Sequence, residues 1–339
     1  MNNDNTDVLG TYTLTDNRDL KVEITPLGCR IMRLSFKGLD VVQGFDTPEE
    51  YLPSRHHSDF GAVIGRYANR ISDGRLTLDG INYQLPINNG PNCLHGGPSG
   101  WQYAIFKVEK NTEQQLILSL NSPDGDNGFP GNVSVRVSYS IEDSNSIRID
   151  YHAKTDRTTA INITNHSYFN LNGDLGSSIH NHTLQIDADR YTPVNEDSIP
   201  LSSHESVDKT PFDFHTPKPI GRHIGDSNPQ LTIGHGYDHN YVLNTRGSLS
   251  SPCARLYSPL SGIRMDVRTT APGVQLYTGN FLDGVVGKKG VSYGRQSAVC
   301  LETQMYPDSP NRQWPESTGI LTPYKPFEST TILSFSKHD

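Results

Sequence analysis

Apolar and polar residues alternate with a period of two along most of this chain. In the runs 135–141, 147–151, 263–267 and 332–335 every second side chain is apolar, the pattern of a strand with one face buried and the other wet. Between Leu76 and Leu85 two such arms flank Asp79-Gly80. Both central residues of a type I′ turn need positive φ, so this dipeptide predicts a two-residue antiparallel hairpin. Helical periodicity is missing, because 30 Gly and 22 Pro interrupt the chain throughout. One turn of helix is expected at 48–51, where Pro48 follows Thr47 as an opening pair. The pattern therefore predicts an all-β fold, a large antiparallel β-sandwich with very little helix. Sheets packed face to face accommodate many strands without long exposed edges.

Neither a repeat of fixed period nor a low-complexity linker divides the 339 residues, so a single domain over 1–339 is expected. The 16 Tyr and 11 Phe can fill a core between broad sheets. With a formal net charge of −8 and no Lys/Arg block, the chain lacks the electrostatic footprint of a nucleic-acid binder. The first seven residues have neither a basic nor an apolar stretch, and no 18-residue apolar run occurs anywhere. A membrane partner and export are therefore not expected. Cys29, Cys93, Cys253 and Cys300 are scattered without a Cys-x-x-Cys pair, which suits free buried thiols in a reducing, cytoplasmic setting. The expected state is a monomer or a weak homodimer.

Candidate chemistry begins with the segment 160–169. Alternation puts Ile161 and Ile163 on one face, and Asn162, Thr164, His166 and Tyr168 on the other. A lone strand histidine is ordinarily just hydrogen-bonded within its sheet, but this one shares its face with a polar row. In 297–304 the carboxylate of Glu302 sits mid-strand among apolar residues, where it needs a partner. A structural arginine would serve as well as a catalytic group. Gln275 and Tyr277 form a third polar row in 274–278, so three strands are expected to offer polar faces to one surface. Glycine-rich stretches add Asn69 and Arg70 (65–71), His95 (94–97) and Asp238 (234–240). Glycine lets backbone approach a ligand closely, although each stretch taken singly is an ordinary turn.

Read together, these segments closely resemble the aldose 1-epimerases, also called galactose mutarotases. Gly65-Arg-Tyr-Ala-Asn-Arg-Ile71, Leu94-His-Gly-Gly97, Asn165-His-Ser-Tyr-Phe-Asn-Leu171, Gly236-Tyr-Asp-His-Asn240, Pro272-Gly-Val-Gln-Leu-Tyr-Thr-Gly-Asn280 and Leu301-Glu-Thr-Gln304 with Pro307-Asp-Ser-Pro-Asn311 occur in order between about Phe60 and Pro310. The resemblance implies a galactose mutarotase-like supersandwich that interconverts the α and β anomers of glucose and galactose in hexose metabolism. It implies Glu302 as base, His166 as acid and His95 near the ring oxygen. Arg70 and Asp238 would bind sugar hydroxyls, supported by Asn69, Gln275 and Tyr168. Many relatives have His where this chain has Met305; the position lies beyond the base, so altered packing is expected there.

Ring opening needs only a proton acceptor and a proton donor, so neither a metal nor another cofactor is expected. His180-x-His182 and His235-x-x-x-His239 lack a third ligand at a recognisable spacing. Trp101, just past the His95 loop, is expected to pack beneath that loop in preference to stacking on a sugar. Two other readings use the same residues: a carbohydrate-binding module without chemistry, and a glycoside hydrolase with Asp238 and Glu302 as its carboxylates, about 5 to 9.5 Å apart.

Overall fold

The computed structural model describes residues 9–338 apart from 57, 143, 144 and 313; the opening residues 1–7 read above lie outside it. Its largest element is a nine-stranded antiparallel sheet. In spatial order its strands are Lys107–Asn111, Gln115–Ser122, Val133–Glu142, Ser146–Thr155, Phe327–Lys337, Ile263–Thr269, Ala254–Tyr257, Thr183–Ile186 and Lys218–Pro219. Four of these contain the alternating runs found in the sequence. Val133, Val135, Val137 and Tyr139 turn inward while Ser134 and Arg136 turn to solvent. A one-residue slip would expose the whole inward row, so the alternation also fixes the register.

A four-stranded sheet, Tyr12–Thr15, Leu20–Thr25, Arg30–Phe36 and Leu39–Asp40, and a five-stranded sheet pack against it through one contiguous core. The five strands run Glu205–Ser206, Arg190–Thr192, Asp238–Val242, Gly273–Tyr277 and Cys300–Gln304. Leu14, Val22 and Leu34 of the four-stranded sheet and Val274, Leu276 and Leu301 of the five-stranded one join that core. Each such side chain contributes about 1.5–3 kcal/mol on leaving water. Polar groups also cross between the layers: Tyr139 Oη donates to the Cys29 carbonyl at 2.7 Å, and the hydroxyls of Thr303 and Thr331 lie 2.6 Å apart.

The hairpin is Arg75–Leu78 with Ile81–Gln84; Asp79 and Gly80 adopt φ of 49° and 77°, as the turn requires. Pro48–Tyr51 forms the expected helical turn, of the 3₁₀ type. Among the described residues the single α-helix is Pro229–Gly234, whose Asn228 side chain accepts from the backbone N–H of Gln230. None of the described helices is long and apolar enough to cross a membrane. The four cysteines are buried and free.

One expectation about the strands is corrected. The segment 160–169 is not a half-buried strand with a polar face. Its ladders are short and lie on different neighbours, Ala160 pairing with Ile320 and Thr164–Asn165 with Val63–Ile64, and Asn162 and Thr164 are completely buried. Backbone bonds on both sides explain this: the N–H of His166 goes to the Ala62 carbonyl, while Phe169 exchanges both its bonds with Val299. A segment enclosed by other backbone has no wet face for alternation to report. Thus His166 and Tyr168 come from a buried crossing and not from a further strand with a wet face.

Candidate active site

On the five-stranded sheet, Asn240 stands opposite Gln275 and Gln275 opposite Glu302. Directly paired residues share a face, so the register brings the amide and the carboxylate together. Asp238 begins its strand opposite Tyr277. The Gln275 amide donates to Asp238 Oδ1 at 2.7 Å, orienting that carboxylate. Residues far apart in sequence are thus aligned by ladder hydrogen bonds alone.

The facing wall is built of loops. Arg70–Ile71 pairs with Cys93–Leu94, bringing the 65–71 and 94–97 stretches side by side. Gly96, at φ 79°, approaches so closely that an added Cβ would lie 2.1 Å from the Gly65 carbonyl oxygen. Beneath them Trp101 is buried, with its indole where a Cβ on Gly65 would sit. It supports the loops from below, as expected, and is not part of the cleft wall. The backbone N–H of Asn69 donates to Nδ1 of His95 at 3.1 Å, and the Asn69 side chain accepts from the Arg70 N–H. Nε of Arg70 donates to the Asn89 side chain at 2.9 Å.

Both walls enclose a cavity of about 480 Å³. Glu302, His166, His95, Tyr168, Asp238, Asn69 and Arg70 line it, while Gln275 sits behind Asp238. Nε2 of His166 lies 3.5 Å from Oε1 of Glu302, and these side chains are only 5% and 3% exposed. No arginine pairs with Glu302 among the described residues: its partner is the imidazole. Glu302 Oε2 and His166 Nδ1 are buried without a hydrogen-bond partner among those residues. The His166 ring lies edge-on to His95 at 5.3 Å and stacks on Tyr168 at 5.0 Å.

Burial governs the protonation of this floor. It pushes Glu302 well above the ordinary carboxylate range, assisted by the nearby charges of Asp238 and Asp59 and opposed by Arg70. Burial likewise raises Asp238, against the lowering effects of Arg70 and the Gln275 hydrogen bond. His166 falls to about 3 through burial and then the neighbouring His95. His95 falls to about 3 through burial and then Arg70.

His95, His166 and Glu302 offer candidate metal-ligand atoms within 4.8 Å of one another. The bond to His95 Nδ1 decides the character of that set. Because Nδ1 accepts the Asn69 N–H, the neutral ring carries its proton on Nε2 and presents a donor there, not a lone pair. This tautomer suits a sugar oxygen and opposes a cation. The other histidines are engaged elsewhere: His182 Nε2 accepts the Leu171 N–H, His180 meets Gln296 and His239 meets Gln230. The helix ends before His235, so His235 and His239 do not share a helical face.

Sequence reasoning missed Asp59 and Asn89. Asp59 lines the cavity with Oδ1 buried and without a partner among the described residues; Asn89 holds Arg70. Both are single polar residues in irregular backbone, and only the Asn89-Gly90-Pro91 turn offered a local signal. Met305 follows the Glu302 strand. Its backbone is clamped by the Asn162 amide, and its side chain packs against the core.

A two-layer antiparallel sandwich with a buried carboxylate–imidazole pair on the floor of an open polar cleft defines an enzyme of acid–base chemistry on small polar molecules. The chain belongs to the aldose 1-epimerase family, isomerases whose family model matches residues 10–334. The match therefore also takes in most of the first 60 residues, where the motifs alone were weaker. The chain is 42% identical over 325 residues to galactose mutarotase of Bos taurus, covering 94% of this chain and 91% of that one. It is 37% identical over 329 residues to aldose 1-epimerase of Escherichia coli, covering 95% and 94%. Among solved structures, an aldose epimerase homologue from C. elegans superposes with a TM-score of 0.88 at 30% identity, covering 98% of this chain and 100% of that one. Galactose 1-epimerase from Lactobacillus acidophilus superposes at 0.86 and 28% identity, covering 100% and 97%. The supersandwich architecture is thus that of the family.

Proposed function

We propose that this chain interconverts the α and β anomers of D-galactose and D-glucose, with Glu302 as base and His166 as acid. Glu302 takes the proton of the C1 hydroxyl while His166 gives one to the ring oxygen. The C1–O5 bond breaks, and the electron pair of the deprotonated C1 oxygen forms the aldehyde. Rotation about C1–C2 presents the other carbonyl face, and reversal of both transfers closes the ring as the opposite anomer. The observation that carries this reading is the 3.5 Å approach of His166 Nε2 to Glu302 Oε1 on a buried floor.

The pair needs one proton between its two members. Ring opening turns carboxylate and imidazolium into carboxylic acid and neutral imidazole, and burial favours the neutral forms of both. The dry floor therefore offsets part of the cost of opening the ring. His95, neutral and donating from Nε2, hydrogen-bonds the ring oxygen without competing as an acid. Arg70 and Asp238 bind sugar hydroxyls, with Asn69, Gln275 and Tyr168 holding the walls. General acid–base help of about 100 to 10,000-fold is enough for a reaction that sugars already undergo slowly in water.

The chain acts as a single domain over 1–339, in the cytoplasm, as a monomer or weak homodimer, without a nucleic-acid or membrane partner. Polarimetry of freshly dissolved α-D-galactose tests the activity. Accelerated decay of rotation supports it; an unchanged decay together with sugar binding would favour a carbohydrate-binding module, and action confined to glycosides a hydrolase.

A further inference from the structure

An imidazole that hands a proton from one nitrogen must keep the other proton in place. On the anomer-exchange reading above, Nε2 of His166, the nitrogen facing Glu302, serves the ring oxygen, and Nδ1 carries the remaining proton throughout. A buried donor is costly unless something accepts from it. Nδ1 is closed to solvent and has no hydrogen-bond partner among the described residues, so its acceptor must come from the protein. The neighbours of the ring narrow the choice. Glu302 meets Nε2, Tyr168 stacks on the ring face, and His95 presents a donor because its Nδ1 already accepts the Asn69 N–H.

Asp59 supplies what is missing. It borders the same cavity, and its Oδ1 is likewise buried and without a partner among the described residues. Backbone bonds tie its segment to His166: the Ala62 N–H donates to the Asp59 carbonyl at 3.0 Å, the His166 N–H to the Ala62 carbonyl at 2.8 Å, and the Gly61 N–H to the His166 carbonyl at 2.9 Å. Burial and then His95 disfavour the protonated ring, and the charge of Asp59 opposes both. Arg30, completely buried nearby, does not form an ion pair with Asp59; its guanidinium donates to the Phe60 and Gln102 carbonyls. We propose that Asp59 is a positioning residue for anomer exchange: with sugar in the cleft, its Oδ1 accepts the Nδ1–H of His166. Catalytic hydrogen bonds that are long in a free enzyme tighten in the substrate complex. The bond fixes the tautomer in which Nε2 alone exchanges protons. On ring opening Nε2 loses its proton to the ring oxygen while Nδ1 keeps its own, and on closure Nε2 takes the proton back.

This inference rests on the anomer-exchange reading, and the test separates the two. Steady-state exchange of glucose anomers and ¹⁵N NMR of the His166 imidazole with glucose bound would be compared for the natural protein, Asp59→Ala and Asp59→Asn. The natural protein should exchange the anomers and show His166 protonated on Nδ1. Asp59→Ala should lower kcat about tenfold or more, the scale of a hydrogen bond to a charged group, with KM unchanged and the His166 signals shifted to a mixture of tautomers. Asp59→Asn keeps a carbonyl oxygen that can accept, and should recover most of kcat and the Nδ1–H signature. An unchanged kcat in Asp59→Ala would overturn the role and leave the activity standing. So would a loss of thermal stability with the His166 signals unmoved, which would make Asp59 a structural counter-charge to Arg30. Exchange of no sugar by the natural protein would refute the activity, and the role of Asp59 with it.

Discussion

The two walls of the cleft are built by different physics. Asp238, Gln275 and Glu302 stand on adjacent strands of one sheet, where ladder pairing sets their positions to within a residue. Asn69, Arg70 and His95 stand on loops positioned by a close approach of backbones at Gly65 and Gly96, by the short pairing of Arg70–Ile71 with Cys93–Leu94 and by one hydrogen bond onto an imidazole. The strand wall resists small changes because many bonds hold it. The loop wall depends on a few contacts, each of which a single added atom can break.

The largest expected effect comes from removing the proposed proton acceptor of the strand wall. Glu302→Gln should lower kcat at least about 100-fold, the scale of general base catalysis, with an unchanged circular dichroism spectrum. His166→Asn should lower kcat by a similar factor, and near-normal rates in both variants would disprove the assigned roles. Next comes the loop wall. Gly96→Ala places a Cβ against the Gly65 carbonyl at a positive φ, and should cost roughly 1–3 kcal/mol of stability. It should also cost about tenfold or more in kcat/KM, since small displacements of catalytic groups are expensive. Gly80→Ala is the control: its φ is also positive, but nothing lies within 4 Å of the added atom. It should cost about 1 kcal/mol and leave turnover intact. If the two variants lose activity equally, close packing at Gly96 does not position the loop wall.

Smaller effects are expected of the groups assigned to sugar hydroxyls. Arg70→Ala and Asp238→Ala should each raise KM by about tenfold or more, the worth of a charged hydrogen bond, with kcat changed less. The pH profile gives the subtlest readout. With the proposed roles, activity requires one proton on the Glu302–His166 pair, so it should be lost when a second proton binds at low pH and when the single proton leaves at high pH. Burial lowers His166 to about 3, so the acid inflection of kcat/KM should lie below the ordinary imidazole value of about 6.5. Burial raises Glu302, which moves the loss of the last proton to higher pH. An acid inflection at or above 6.5 would contradict this arrangement.

The same contrast explains what the sequence could reveal. Alternation placed Gln275 and Glu302 on one face because an antiparallel ladder obeys a strict period of two. The 75–84 hairpin was legible because Asp79-Gly80 accepts the positive φ its turn requires. The crossing that carries His166 was misread as a half-buried strand, since both its sides are covered and periodicity carries no information there. The helix Pro229–Gly234 spans six residues, too few for a 3.6-residue period to register. Asp59 joins the cleft through contacts distant in sequence, which no local pattern encodes. The loop residues Asn69, Arg70 and His95 were identified through motifs compared with a family, while alternation said nothing about them.

The most direct test of the paired roles of Glu302 and His166 is magnetisation transfer between the anomeric protons of α- and β-D-galactose at equilibrium, with the natural protein and with Glu302→Gln. The account predicts fast exchange with the natural protein and exchange slowed at least about 100-fold with the variant. Equal exchange with both proteins, or none above the buffer rate with the natural one, would contradict it.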